Sequence, residues 1–195
     1  AHDVHNPAGA EELRRFNDLA LKLMTAIYNY GKPTVAAVAG VAPGYGMDVA
    51  NMCDVTVASE NAFFGSTQVK YAMNGFYGGL QRKCGPMCAR RLLFTGDPTD
   101  AQEAFRIGLV DEIAPVGHVR ARALSLAKRM AENGTEILMA LKRTALQAQN
   151  MDHLGGLTFE LQLTADLLQR GLFRERIASG YQRLKEGKSR AIERL

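Results

Sequence analysis

The stretch Gly40-Val-Ala-Pro-Gly-Tyr-Gly-Met-Asp48, continuing to Val55, gathers the residues best placed for chemistry. Gly44 and Gly46 flank Tyr45, and an amphipathic run with one carboxylate, Asp48, follows at once. A strand, a glycine-rich turn and a helix in that order put unpaired backbone N–H groups at a helix N-terminus, where the helix dipole also favours negative charge. Such a turn serves a phosphate, a developing oxyanion, or nothing beyond a change of direction. Two common phosphate patterns do not fit: the spacing is not GxGxxG, and no Gly-Lys-Ser/Thr follows. An oxyanion is therefore the better functional reading, with a plain tight turn as the alternative.

The elements around this turn follow from periodicity. Leu13, Phe16, Ala20, Leu23, Ile27 and Tyr30 recur at steps of three and four, which predicts a helix ended by Gly31-Lys32-Pro33. Thr34–Gly40 reads as a buried strand, Asp54–Ser59 as a second and Ala62–Gly65 as a third. Residues 67–79 read as a loop. A helix pair over Gly79–Phe94 is broken near Gly85-Pro86, and a further helix begins with Thr99 as its N-cap and ends at Gly108. Leu109–Pro115 reads as one more strand. Beyond Val116 the pattern is helical, over 117–132, 135–149, 152–170 and 173–186. Leu124, Ala127 and Met130 mark one side of the first of these, and Ile177, Tyr181 and Leu184 one side of the last. The composition shift divides the chain into an α/β part, 1–116, and a helical part, 117–195.

Composition narrows the function classes. The chain has 195 residues, 47% of them hydrophobic, and a net charge of +4. Its isoelectric point is about 9.1. Lys and Arg are interleaved with acids, which describes a solvated surface rather than a nucleic-acid face. No apolar run approaches the roughly 18–20 residues that cross a bilayer, and no signal peptide is legible. Three cysteines, Cys53, Cys84 and Cys88, contain no CxxC pair, so free thiols in a reducing compartment are expected rather than disulfides or zinc. That compartment is the cytoplasm, or the mitochondrial matrix in a eukaryote. His2, His5 and Asp3 make a weak metal signal, and no metal is expected.

The run Lys32-Pro33 through Phe64-Gly65 resembles the core signature of the crotonase (enoyl-CoA hydratase/isomerase) superfamily. The stretches Gly78–Gly85 and Leu92–Ile113 agree with two further motifs of that family, in order and at matching separations. The resemblance implies an α/β fold, a crotonase-like ββα spiral with C-terminal helices that trimerise, and homotrimers or dimers of trimers. It implies an acyl-CoA thioester as ligand and no cofactor beyond the coenzyme A of the substrate; from the dispersed charge and the lack of a spanning run, neither nucleic acid nor membrane is expected as partner. It also implies that the first part of the usual fold is missing from this chain.

Site residues follow from the same resemblance. The oxyanion-hole N–H groups map to His2, within Ala1-His2-Asp3, and to Tyr45, in the middle of the glycine triplet, with Gly44 and Gly46 beside the substrate. Two such donors facing a thioester enolate act in the transition state, each removal costing roughly 3–4 kcal/mol. Both donors are backbone groups, so the side chains do not forbid the role, although Tyr45 needs room that glycine would not. Family hydratases use two glutamates to add and remove water. Here the first matches Asp48 and the second matches Gln68, which cannot exchange a proton at ordinary pH. The expectation is one acid, Asp48, as general base or water-orienting group, with Gln68 holding substrate or water. Hydration, a one-base proton shift, decarboxylation and hydrolysis all fit, and so does a catalytically silent protein that binds acyl-CoA or a protein partner. Tyr77 falls where some relatives place a catalytic acid, and reads either as a substrate contact or as packing. Lys70 and Tyr71 read as a solvated edge, Glu103 as packing or interface, His118 and His153 as surface or interface. Arg183, Lys185 and Lys188 form a basic tail that reads first as solvated charge, with contact to coenzyme A phosphates, on this or a neighbouring subunit, as the alternative.

Overall fold

The structure is a computed structural model describing residues 7–171 together with 174, 177, 178, 180 and 181. The chain divides into two compact units, residues 1–132 and 133–195.

The first unit opens with α1 (Pro7–Tyr28) and then alternates strands and helices: β1 (Val35–Val38), β2 (Val41–Pro43), α2 (Tyr45–Met52), β3 (Val55–Ser59), β4 (Phe63–Gly65), α3 (Tyr77–Thr95), β5 (Thr99–Asp100), α4 (Ala101–Arg106), β6 (Glu112–Ala114) and α5 (Val119–Ala131). A 3-10 helix, Thr67–Tyr71, follows β4. Strands β1, β3 and β6 form one parallel sheet. A second sheet has the order β2-β4-β5, with β2 and β4 parallel and β5 antiparallel. Two passes of the chain, β1–β2 and β3–β4, each leave one strand in the first sheet and turn a corner into the second, while β5 of the second sheet leads through α4 to β6 of the first. The corners stack: the Phe63 N–H donates to the Gly40 carbonyl at 3.4 Å. This is the ββα spiral that the resemblance implies.

Alternation along β3 explains the layers, because successive side chains point to opposite faces. Val57 packs with Val119, Ala123 and Leu126 of α5. Ala58 faces the other way, into a core with Met47, Phe64, Leu80 and Leu92. α5 therefore buries Val119, Ala123 and Leu126, and of the expected side Met130 packs against them while Leu124 stays 52% exposed. The buried stripe runs at steps of four, three and four, and contact with the sheet sets its face. Along α1, Met24 is the buried side chain, while Leu13, Phe16 and Leu23 remain exposed.

Two local expectations are corrected. Thr99 lies in β5, and the cap of α4 is Asp100, whose Oδ1 accepts the Glu103 N–H at 2.8 Å. A carboxylate is as good a cap as a hydroxyl, and Asp100 is the residue that the antiparallel pairing of β5 leaves at the helix entrance. The stretch after Gly40 is not turn throughout, since β2 occupies Val41–Pro43. The break in α3 falls at Gly85, with φ 76° and ψ 165°, next to Pro86.

In the second unit, α6 (Thr135–Gln147) and α7 (His153–Gln169) pack on each other through a 3-10 turn at Ala148–Asn150. Asp152 caps α7, accepting the Gly155 N–H at 2.9 Å. Arg143 lies over the Phe159 ring and Arg170 pairs with Glu136. The helix expected over 173–186 and the basic tail of Arg183, Lys185 and Lys188 lie outside the described residues, apart from the few positions named above. Among the described residues, no helix is long and apolar enough to cross a membrane.

Successive turns of the spiral are pinned by a polar clamp. Asp54 Oδ2 accepts from the Thr34 N–H at 2.6 Å and from its hydroxyl at 2.8 Å. The Asp54 N–H donates back to Thr34 Oγ1 at 3.1 Å. Hydrogen bonds to a charged group contribute about 1.5–3 kcal/mol each, so Asp54→Ala is expected to lower stability by about 2–3 kcal/mol in urea unfolding with an unchanged m-value. A change within about 0.5 kcal/mol of zero, the range of an ordinary surface substitution, would remove the clamp from the account.

Candidate active site

The site begins where β2 hands over to α2. The Gly44 N–H donates to the Gly65 carbonyl of β4 at 2.7 Å, which fixes the turn to the neighbouring strand. Gly44 takes φ 52° and ψ −118°, a conformation that side chains strongly disfavour, and a Cβ there would lie 3.4 Å from Gln68 Cδ. The first intrahelical bond of α2 runs from the Asp48 N–H to the Gly44 carbonyl at 3.0 Å. Tyr45, Gly46 and Met47 stand before it, so their N–H groups have no partner inside the helix. At Gly46 a Cβ would make only ordinary contact, 3.7 Å from that of Ala42. Its glycine is not required by space.

The Tyr45 side chain leaves the helix end towards α1. Its hydroxyl donates to Asn17 Oδ1 at 2.9 Å. Its ring meets Phe16 edge-on, with centroids 4.9 Å apart, and lies 5.8 Å from the ring of Phe76.

Asp48 is in the first turn of α2 and is 0% exposed. Its Oδ2 accepts the Gln68 Nε2–H at 2.6 Å. Among the described residues its Oδ1, also buried, has no hydrogen-bond partner. Burial pushes the Asp48 carboxyl from its ordinary value of 3.8 up to about 7, with the Gln68 hydrogen bond pulling the other way. Desolvation disfavours the charged form, and one amide donor only partly offsets it. Gln68 is 3% exposed in the 3-10 helix after β4. Its Oε1 faces the Ser66 hydroxyl at 3.4 Å, so its amide nitrogen is the end turned to Asp48.

The structure thus brings together Asp48 and Gln68, with Tyr45, Gly44 and Gly46 at the adjacent helix end. Tyr77 starts α3 and is half-buried against the core that contains Leu80, which is the packing reading. His2 lies outside the described residues, as do His5 and Asp3. Lys70 pairs with Asp97 at 3.7 Å and Tyr71 is 72% exposed, so the solvated edge holds. Glu103 pairs with Arg91 and Arg106. Among the described residues, none of the three cysteines forms a disulfide. Among the described residues, no group of three or more His, Cys, Asp or Glu is placed to hold a metal ion. Sequence reasoning missed Phe16, Asn17 and Phe76 as neighbours of Tyr45. Phe16 was legible only as part of a helical stripe, and Phe76 only as a neighbour of Tyr77.

Comparison with known proteins defines the class first. The fold superposes on a crystal structure of an enoyl-CoA hydratase from Bacillus anthracis with TM-score 0.81 and 27% identity, over 91% of this chain and 69% of that one. The family model for enoyl-CoA hydratase/isomerase matches residues 5–189. The chain belongs to the enoyl-CoA hydratase/isomerase family, and its fold is crotonase-like. It is 34% identical over 164 residues to a 2,3-dehydroadipyl-CoA hydratase of Escherichia coli, covering 83% of this chain and 64% of the relative. It is 35% identical over 146 residues to a crotonyl-CoA hydratase of Syntrophomonas wolfei, covering 73% of this chain and 56% of the relative. The chain therefore spans a little over half to two thirds of the length of these relatives.

The environment of Asp48 has a thermodynamic signature. Between about pH 4 and pH 7 the folded protein keeps a proton that the unfolded chain has released. The resulting stabilisation is complete below pH 3.8 and is lost as pH rises towards 7. Over that window the wild type is expected to lose on the order of 3 kcal/mol relative to Asp48→Asn, at about 1.4 kcal/mol per pKa unit. Urea unfolding of both proteins at several pH values measures the difference. A difference that does not change with pH would contradict the raised pKa.

Proposed function

We propose that the chain acts on an acyl- or enoyl-CoA thioester through an oxyanion-stabilised enolate, as a lyase of the enoyl-CoA hydratase type. The observation that carries this reading is a buried carboxylate with a pKa near 7, one helical turn from an unpaired N–H at a glycine-rich helix entrance. The thioester carbonyl oxygen accepts the Tyr45 N–H, with the His2 N–H as the second donor. Negative charge that develops on that oxygen in the transition state meets donors already in place. Asp48, deprotonated, is the general base: it takes a proton from the water that attacks the β-carbon and passes that proton to the α-carbon of the resulting enolate, and in the reverse direction it removes the α-proton and returns it to the departing hydroxyl. A base with a pKa near the working pH is well matched to that task. Gln68 orients the Asp48 carboxylate and carries no proton itself.

With one acid, the same carbon-bound proton can be taken up and returned, so isomerisation uses the identical groups; hydrolysis would use Asp48 to activate water. The names of the relatives support hydration. The amide at position 68 favours a second reading, a catalytically silent protein that binds acyl-CoA. The exposed stripe Leu154, Leu157, Leu161 and Leu168 on α7 supplies apolar surface for the homotrimer, or dimer of trimers, of this proposal. Three cysteines without a disulfide among the described residues suit the cytoplasm or another reducing compartment.

Turnover of a panel of enoyl-CoA thioesters by the full chain tests the proposal. kcat/KM is expected to rise with pH through about 7 and then level, because only the carboxylate form of Asp48 is a base. Asp48→Asn is expected to lower kcat/KM about 100-fold or more and to abolish the pH limb. Activity that survives Asp48→Asn unchanged would end the role of Asp48, and tight thioester binding without turnover would establish the silent reading.

A further inference from the structure

Tyr45 stands where the family pattern has glycine, and its side chain is held from three directions. Phe16 meets the ring edge-on at 4.9 Å, Phe76 lies tilted at 5.8 Å, and Asn17 accepts the hydroxyl proton at 2.9 Å. Tyr45 and Asp48 are three residues apart on α2 and so share a face of the helix. Side chains of a helix lean towards its N-terminus, which brings the Asp48 carboxyl under the turn that carries Tyr45. Phe76 belongs to a segment seated against the other half of the pair. A Cβ at Gly75 would lie 2.7 Å from Ser66 Oγ and 3.8 Å from Gln68 Oε1. Gly44 lies against Gln68 likewise, a Cβ there standing 3.4 Å from its Cδ, so the residues just before Tyr45 and Phe76 both border Gln68. Exposure falls in the same order: Phe16 is 49% exposed, Tyr45 and Phe76 are half-buried, Gln68 is 3% and Asp48 0% exposed.

We propose that Phe16, Tyr45 and Phe76 form an aromatic cover over the Asp48–Gln68 pair that restricts a thioester ligand to a short acyl chain. The inference rests on the reading of the Tyr45 N–H as the donor to the thioester carbonyl. A carbonyl oxygen on that N–H puts the acyl carbons beside the ring of the same residue. A short chain ends beneath the rings. A long chain reaches them, and must break the two ring contacts and the hydrogen bond to Asn17 to pass.

Isothermal titration of the full chain with analogues of butyryl-CoA and decanoyl-CoA in which a methylene replaces the thioester sulfur, so that the carbonyl oxygen is kept as a non-hydrolysable ketone, tests the cover. Each added methylene favours burial in an open apolar site, so an uncovered site binds the decanoyl analogue more tightly. The wild type is expected to do the opposite, preferring the butyryl analogue by about tenfold or more. Tyr45→Ala is expected to reverse that preference, and Tyr45→Phe, which keeps the ring, to retain it. Phe76→Ala moves the preference in the same direction as Tyr45→Ala while leaving the backbone donor and α2 untouched, so misfolding of one variant does not decide the outcome. A wild type that prefers the decanoyl analogue, or a preference unchanged in both alanine variants, overturns the cover and leaves the thioester reading standing. No binding of either analogue to the wild type overturns both.

Discussion

A single hydrogen bond organises the centre of the first unit: the Gln68 amide donating to the Asp48 carboxyl, with both side chains buried. A carboxylate buried with no donor protonates, and one held by several donors is fixed in its charged form. One amide leaves Asp48 between these limits, with its second oxygen unpartnered among the described residues. The bond also joins the helix that follows β2 to the segment that follows β4. Those two strands are parallel neighbours, and their register sets the distance between acid and amide. Gly44 lets them approach, because a Cβ at that position would press on Gln68.

The helix entrance shows how a backbone function and a side-chain function occupy one residue. The N–H of Tyr45 is available because it precedes the first intrahelical bond, which is a property of position and not of residue type. The side chain is then free to take another role, and it is committed to Phe16, Phe76 and Asn17. Gly46 has ordinary space around its missing Cβ. Of the two glycines, only Gly44 is demanded by both conformation and contact.

Much of the spiral was legible in the sequence, because its strands are short, apolar and bounded by glycine or proline. Thr34–Gly40 and Asp54–Ser59 contain β1 and β3, and the break at Gly85-Pro86 falls where a glycine with positive φ interrupts α3. Strand β2 was not legible, since a three-residue strand ending in proline has too little pattern to separate it from a turn. Thr99 and Asp100 are both good caps, and only the pairing of β5 decides between them. On α5 the contact with β3 chooses the face through Ala123 and Leu126. Asp48 and Gln68 were found through family motifs. The aromatic neighbours of Tyr45 come from segments far apart in the chain, and no local pattern announces a contact between them.

The spiral has an entropic corollary. Asp48 and Gln68 are 20 residues apart, the same separation as the Thr34–Asp54 clamp, so the acid and its amide are neighbours by one winding of the chain. The bond from the Thr56 N–H to Asp111, which ties in the last strand, spans 55 residues. Closing the longer loop costs about 0.9 kcal/mol more in chain entropy. The buried pair is therefore a nearest-neighbour contact along the spiral, whereas the strand β6 is tied in across a loop of 55 residues.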